Sequence, residues 1–146
     1  MKSLINRASR YTWNAHFGLL LIRVATGLVF FMHGWMKVNN LSGVEGMFVH
    51  MGLGSPVGVF IAFLEVIGGL ALMLGVATRF FGVVFGIEML VAIVLTGFGK
   101  GVYQPHEFEL LLMLLSFGLA LAGSGRYSLY KMECNACGGM LCDEHK

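Results

Sequence analysis

Residues 17–36 read FGLLLIRVATGLVFFMHGWM. Twenty residues of helix rise about 30 Å at 1.5 Å each, the thickness of a bilayer hydrocarbon core. Arg23 and His33 are the only ionisable residues in it. Lipid offers a backbone no hydrogen bonds, so only helices and closed barrels cross it. A continuous apolar run of this length does not read as a barrel strand. The stretch predicts a membrane helix, and the rest of the fold is built around it. It reads as retained rather than as a cleaved leader, because a convincing small-residue cleavage site is missing and two ionisable residues lie inside it.

Working outward, the pattern recurs at 57–77, 80–98 and 108–122. The last run is short alone. It is expected to begin at Pro105 or His106, with Glu107 and Glu109 at the interface. The expectation is an all-α integral membrane four-helix bundle, with spans at about 16–37, 57–77, 79–98 and 105–123 in a domain covering 1–130. Residues 131–146 form a separate tail. Composition agrees. Of 146 residues, 57% are hydrophobic and 12% charged, with a mean hydropathy of +0.78. Soluble domains carry about 25% charge. These figures disfavour a soluble enzyme and a disordered chain, and a net charge of +2 gives no footing for nucleic acid.

Lysine and arginine near the span ends set the orientation. With the N-terminus inside, Lys2, Arg7, Arg10, Arg79, Arg126, Lys131 and Lys146 fall on the inner face, against Lys37 and Lys100 outside. Both termini are expected in the cytoplasm of a multi-pass inner-membrane protein. Tyr11, Trp13 and His16 suit an interfacial anchor. Residues 39–56 form the longest outer loop, and 44–51 within it suit a short interfacial helix. The brief turn at Thr78 and Arg79 predicts that the second and third spans form a tight antiparallel hairpin. Gly123-Ser124-Gly125 ends the fourth helix.

Ionisable groups within the spans cost several kcal/mol unless paired, neutralised or hydrated. Counted at about 1.5 Å per residue, Arg23, Glu65 and Glu88 fall in one middle layer. His33, Lys37, Glu107 and Glu109 fall in a second layer near the outer surface. Arg23, Thr26, Gly27, Phe30, Gly34 and Lys37 share one face of the first helix, and Glu109, Ser116 and Gly123 one face of the fourth. Polar faces on two helices suggest an internal seam. Arg23 with Glu65 or Glu88 is either a buried structural pair or part of a ligand pocket or proton path. His33 is either a structural hydrogen-bonding group or, beside Glu109, a proton-transfer group. Glu88 either joins the seam or faces a partner subunit. Gly82 with Gly86, Ala71 with Gly75, and Gly118 with Ala122 are small-residue steps that let helices approach. The pattern does not choose between contacts within one chain and a dimer seam.

All three cysteines lie in the tail, as Cys134-x2-Cys137-x4-Cys142-x2-His145. Four soft or borderline donors within twelve residues are a candidate tetrahedral metal set, with zinc the leading ion. Thiol redox chemistry at Cys134 and Cys137, an iron-sulfur cluster, and an incidental tail are the alternatives. A reducing cytoplasm argues against a structural disulfide.

The order and spacing of these residues resemble the DoxX family of small four-helix membrane proteins. The matching stretches are LLIRVATGLVFFMHGWMK with Arg23, His33, Gly34 and Lys37, then LEVIGGLALMLGVATR with Glu65, Gly69, Gly75 and Arg79. FELLLMLLSFGLALAGSGR adds Glu109, followed by Arg126, Ser128 and Leu129. The resemblance covers roughly 17–130. Tyr130 stands where family members usually carry an acidic residue, and Glu88 and the cysteine tail lie outside the pattern. Some relatives are linked to quinone-dependent sulfur oxidation, others to membrane redox complexes. The resemblance therefore implies a membrane subunit of a quinone-linked redox or respiratory complex. In that reading Arg23, His33, Glu65 and Glu109 carry the chemistry, and Arg23, His33, Lys37, Glu65 and Glu88 hold a quinone. Its partners are lipid and other subunits or further copies of itself. The alternative is a non-catalytic accessory subunit that docks a cytoplasmic partner through a metal-binding tail.

Overall fold

Hydrophobic length sets the main elements. The computed structural model of the protein describes residues 2–97 and 106–129, with side chains at 15–95 and 106–129. Five helices occupy these residues: α1 Lys2–Asn39, α2 Leu41–His50, α3 Ser55–Leu74, α4 Thr78–Gly97 and α5 Glu107–Ala122. No strand occurs among the described residues. Ala15–Asn39 of α1, all of α3, and Thr78–Leu95 of α4 are each long and apolar enough to cross a bilayer. The protein is an all-α, multi-pass membrane protein. Its outward side chains fit that solvent: Phe60, Ile67, Phe80, Leu114 and Leu121 are all exposed. At 16 residues, α5 spans about 24 Å, less than the hydrocarbon core.

Local sequence explains the ends of α3. Pro56 occupies its first turn, where a missing N–H costs nothing. Gly75 ends it in the left-handed conformation, φ 77°, and the Gly75 and Val76 N–H groups donate to the Leu72 and Ala71 carbonyls at 3.0 and 2.8 Å. The short outer helix anticipated at 44–51 is α2. It lies on α3, with Val44 and Phe48 packed over Gly58.

The helices associate as two antiparallel pairs, α1 with α3 and α4 with α5. Glycine brings the backbones together where hydrophobic exclusion cannot. Gly27 meets Gly69 and Met73, and Gly34 meets Ala62, Glu65 and Val66. Gly82 meets Ser116 and Ala120 of α5, and Gly86 meets the Phe117 ring. The Gly82–Gly86 step is thus a contact within the chain. Gly118 has nothing within 4 Å of a would-be Cβ, so that step makes no such contact here.

The expected tight hairpin of α3 and α4 differs in detail. Their connection is short, but the two helices touch chiefly through side chains. The rings of Phe81 and Phe85 stand against Gly68 and hold the backbones apart. Phe85 then stacks on Phe30 of α1, with ring centres 3.9 Å apart and planes within 7°. This stack joins the two pairs, and Leu72, Met89 and Leu112 close around it.

Candidate functional site

The α1/α3 register decides where the charges go. Gly27 lies opposite Gly69 and Met73, and Gly34 opposite Ala62 and Glu65. Continuing the antiparallel match, Arg23 falls beside Gly75 at the end of α3. There Arg23 is 2% exposed. Nη1 donates to the Ser124 carbonyl and Nη2 to the Tyr127 carbonyl, each at 2.5 Å. A Cβ on Gly75 would stand 2.6 Å from Nη1, so only glycine leaves the fork room. Arg23 therefore fastens the segment after α5 to the base of α1 and α3. The Leu129 N–H donates to the Leu74 carbonyl at 3.2 Å and closes the same junction.

This arrangement corrects one expectation. Arg23 does not share a layer with Glu65 and Glu88. Counting depth from span ends ignored the register, and the guanidinium finds backbone carbonyls instead of a carboxylate. Glu65 pairs with Lys37, one turn beyond Gly34, with Nζ 2.7 Å from Oε1. The direction of the side chain explains the partner. Cα–Cβ bonds on a helix tilt toward its N-terminus, so Lys37 reaches back along α1 toward Glu65. Glu65 is fully buried, and its Oε2 has no partner among the described residues. Glu88 on α4 joins this cluster, within hydrogen-bonding reach of Glu65 and coulombic reach of Lys37. Its Oε2 is likewise buried and unpartnered.

A second polar group lies at the start of α5. His106 Nδ1 is 4.0 Å from Glu109 Oε2, and His106 Nε2 is buried without a partner. The half-buried His33 stacks on Phe108, with ring centres 5.6 Å apart. His33 thus approaches α5, but its ring contact is an aromatic face. His106 was not singled out in the sequence, where it reads as a residue preceding a helix. Its position three residues before Glu109 was the available signal. Thr26 and Ser116, also buried, leave hydroxyls unpartnered.

The structure therefore holds two positive charges on one helix face in different ways. Arg23 spends its terminal nitrogens on fixed carbonyls. Lys37 faces two carboxyl groups, two of whose oxygens retain acceptor capacity. The latter cluster can hold a polar ligand or exchange a proton. The tail set Cys134, Cys137, Cys142 and His145 lies outside the described residues. Among the described residues no group of three His, Cys, Asp or Glu side chains is placed to hold a metal.

Comparison with known proteins gives this geometry a context. The DoxX family profile matches residues 18–97, a segment that contains Arg23, Lys37, Glu65 and Glu88. CatD of Bacillus subtilis (strain 168), provisionally named an oxidoreductase, is 40% identical over 107 residues, covering 73% of this chain and 80% of CatD. No solved structure matches the chain. On the extent of both matches, the chain belongs to the DoxX family.

Proposed function

We propose that this protein is a membrane subunit of a quinone-linked redox complex and that the Lys37–Glu65–Glu88 cluster receives the quinone head group. The observation that carries the reading is a buried ion pair with spare capacity. Lys37 Nζ and Glu65 Oε1 are 2.7 Å apart, while Glu65 Oε2 and Glu88 Oε2 lie buried without partners. Unsatisfied polar atoms at this depth are costly, and a polar ligand would relieve that cost. The provisional oxidoreductase name of CatD supports the redox setting. A bound quinone would supply two-electron, two-proton chemistry. Lys37 would donate a hydrogen bond to its oxygen, and the carboxyl groups would hold one of the two accompanying protons. His33, stacked on Phe108, and the His106–Glu109 pair stand at the start of α5. Arg23 has a positioning role, because its terminal nitrogens are engaged. The lysine and arginine distribution supports an inner-membrane setting with both termini cytoplasmic.

The test is a titration of a short-chain benzoquinone into the purified protein in lipid nanodiscs. The double variant Lys37→Met/Glu65→Gln removes both charges together and leaves no unpaired ion from the pair. Binding should weaken at least about tenfold, the equivalent of about 1.4 kcal/mol. Equal affinity in the folded variant would remove the quinone from this cluster.

A specific observation also favours an accessory role for the tail. Arg23 and the Leu129–Leu74 hydrogen bond fix the chain at the point where the tail begins. In this reading Cys134, Cys137, Cys142 and His145 would hold zinc and dock a cytoplasmic partner. Zinc content of the full chain, compared with a Cys134→Ser/Cys137→Ser variant, tests it. Equal content in both would end this reading.

A further inference from the structure

Between α1, α3 and α4, one ammonium group faces two carboxyl groups. Lys37 Nζ is 2.7 Å from Glu65 Oε1, and Glu88 lies within hydrogen-bonding reach of Glu65. Glu65 is 1% exposed, and one oxygen of each carboxyl group is buried without a partner. Ionised carboxylates only accept hydrogen bonds, so two of them cannot bond to each other. A carboxylic acid can donate to a carboxylate. Charge counting leads to the same state. Two ionised carboxylates beside one ammonium leave an uncompensated negative charge within a membrane bundle, and one added proton makes the cluster neutral.

We propose that Glu65 and Glu88 share one exchangeable proton beside Lys37, and that this acid–carboxylate pair is the proton-binding site of the bundle. The inference deepens the quinone reading by naming the groups that hold the proton, and it stands on a cluster that needs no quinone to form. The three helices contribute unequally. The Lys37 side chain is 24% exposed while that of Glu65 is 2% exposed, so Lys37 is the more accessible end of the pair, and the shared proton would enter past it. Glu88 supplies the second oxygen pair from α4. Of the remaining ionisable groups in this half of the bundle, α1 carries His33, α2 carries Glu45 and His50, and α5 carries Glu107 and Glu109, the latter 4.0 Å from His106 at the N-cap of α5.

Infrared spectroscopy of the full-length protein in lipid nanodiscs tests this without any quinone. A protonated carboxyl group has a carbonyl stretch well above that of a carboxylate, and the band moves down on exchange into D2O. At neutral pH the wild-type protein should show one such band, and it should shift in D2O. Glu88→Gln and Glu65→Gln should each abolish it, because the remaining carboxyl group then pairs with Lys37 as an anion. Glu109→Gln should leave it in place. Absence of the band from the wild type would overturn the proposal, whatever the variants do. A band that survives in both variants, or disappears in only one, would overturn the sharing. A shared band in a protein that binds no benzoquinone would retain the proton pair and discard the quinone reading.

Discussion

Replacing Gly34 by alanine should separate α1 from α3. A Cβ there would stand 2.7 Å from Glu65 Cβ and from the Val66 nitrogen, and 2.9 Å from the Ala62 carbonyl oxygen. None of these atoms is the far end of a flexible side chain, so the helices themselves must give. Ordinary contact begins near 3.4 Å, which requires a local displacement of about 0.7 Å. Overpacking of this kind costs about 1–3 kcal/mol. The shift also opens the neighbouring contacts, and a gap of about 0.5–1 Å forfeits a quarter to a half of each dispersion well. Alanine's better helix propensity offsets up to about 1 kcal/mol. The net loss should be about 1–2 kcal/mol. Gly118 is the internal control, since a Cβ there meets nothing within 4 Å. Gly118→Ala should be neutral or stabilising by up to about 1 kcal/mol. Titration of the solubilised proteins with SDS, followed by far-ultraviolet circular dichroism, ranks the two variants. A Gly34→Ala protein as stable as Gly118→Ala would refute the close crossing of α1 and α3.

Other perturbations read other parts of the bundle. Arg23→Ala removes two charge-assisted hydrogen bonds, each worth about 1.5–3 kcal/mol, and should expose the segment after Gly123 to protease. Arg23→Lys should recover only part of the loss, because an ammonium lacks the planar fork that reaches both carbonyls; thermal unfolding distinguishes the three proteins. Gly75→Ala meets both a left-handed φ of 77° and the Arg23 guanidinium, and should lower stability by about 1–3 kcal/mol in the same assay. Phe85→Ala empties one side of the stack that joins the helix pairs, and a loss of about 3–5 kcal/mol in the SDS titration is expected.

What could be read in advance follows the physics of one helix at a time. Length and apolar content marked Ala15–Asn39, α3 and α4 as membrane helices without reference to their partners. Gly82 and Gly86 were legible as a packing surface, but α5 as its receiver was not. Gly118 and Ala122 show the same small-residue spacing, yet Gly118 faces open space. Small residues permit close approach and do not state what approaches. The site obeys the same division. Buried charges at Arg23, Glu65 and Glu88 announced themselves by their cost in lipid. Their partners depended on the α1/α3 register and on backbone carbonyls after α5, which carry no side-chain signature. The Lys37–Glu65 pair crossed two supposed layers because a lysine reaches about one turn back along its helix.

The two cations of α1 show why burial alone does not identify chemistry. Arg23 and Lys37 are fourteen residues apart, about 21 Å along the helix. Both face the interior, and both replace water with protein. A guanidinium in a protein stays charged, and Arg23 has its fork closed on two carbonyls that cannot move without unseating the end of α5. Arg23 itself cannot change its proton count there. Lys37 is set against a carboxyl pair with one more potential negative charge than it can balance, and two oxygens there stay unengaged. Proton number is variable at the Lys37 cluster near the end of α1, and the charge on Arg23 in its middle is fixed. Substitutions near Arg23 should therefore change how much protein folds while leaving the infrared signature of the folded fraction intact. Substitutions at Glu65 or Glu88 should change that signature in a bundle that still assembles. A single set of preparations, measured for both properties, separates the scaffold from the site.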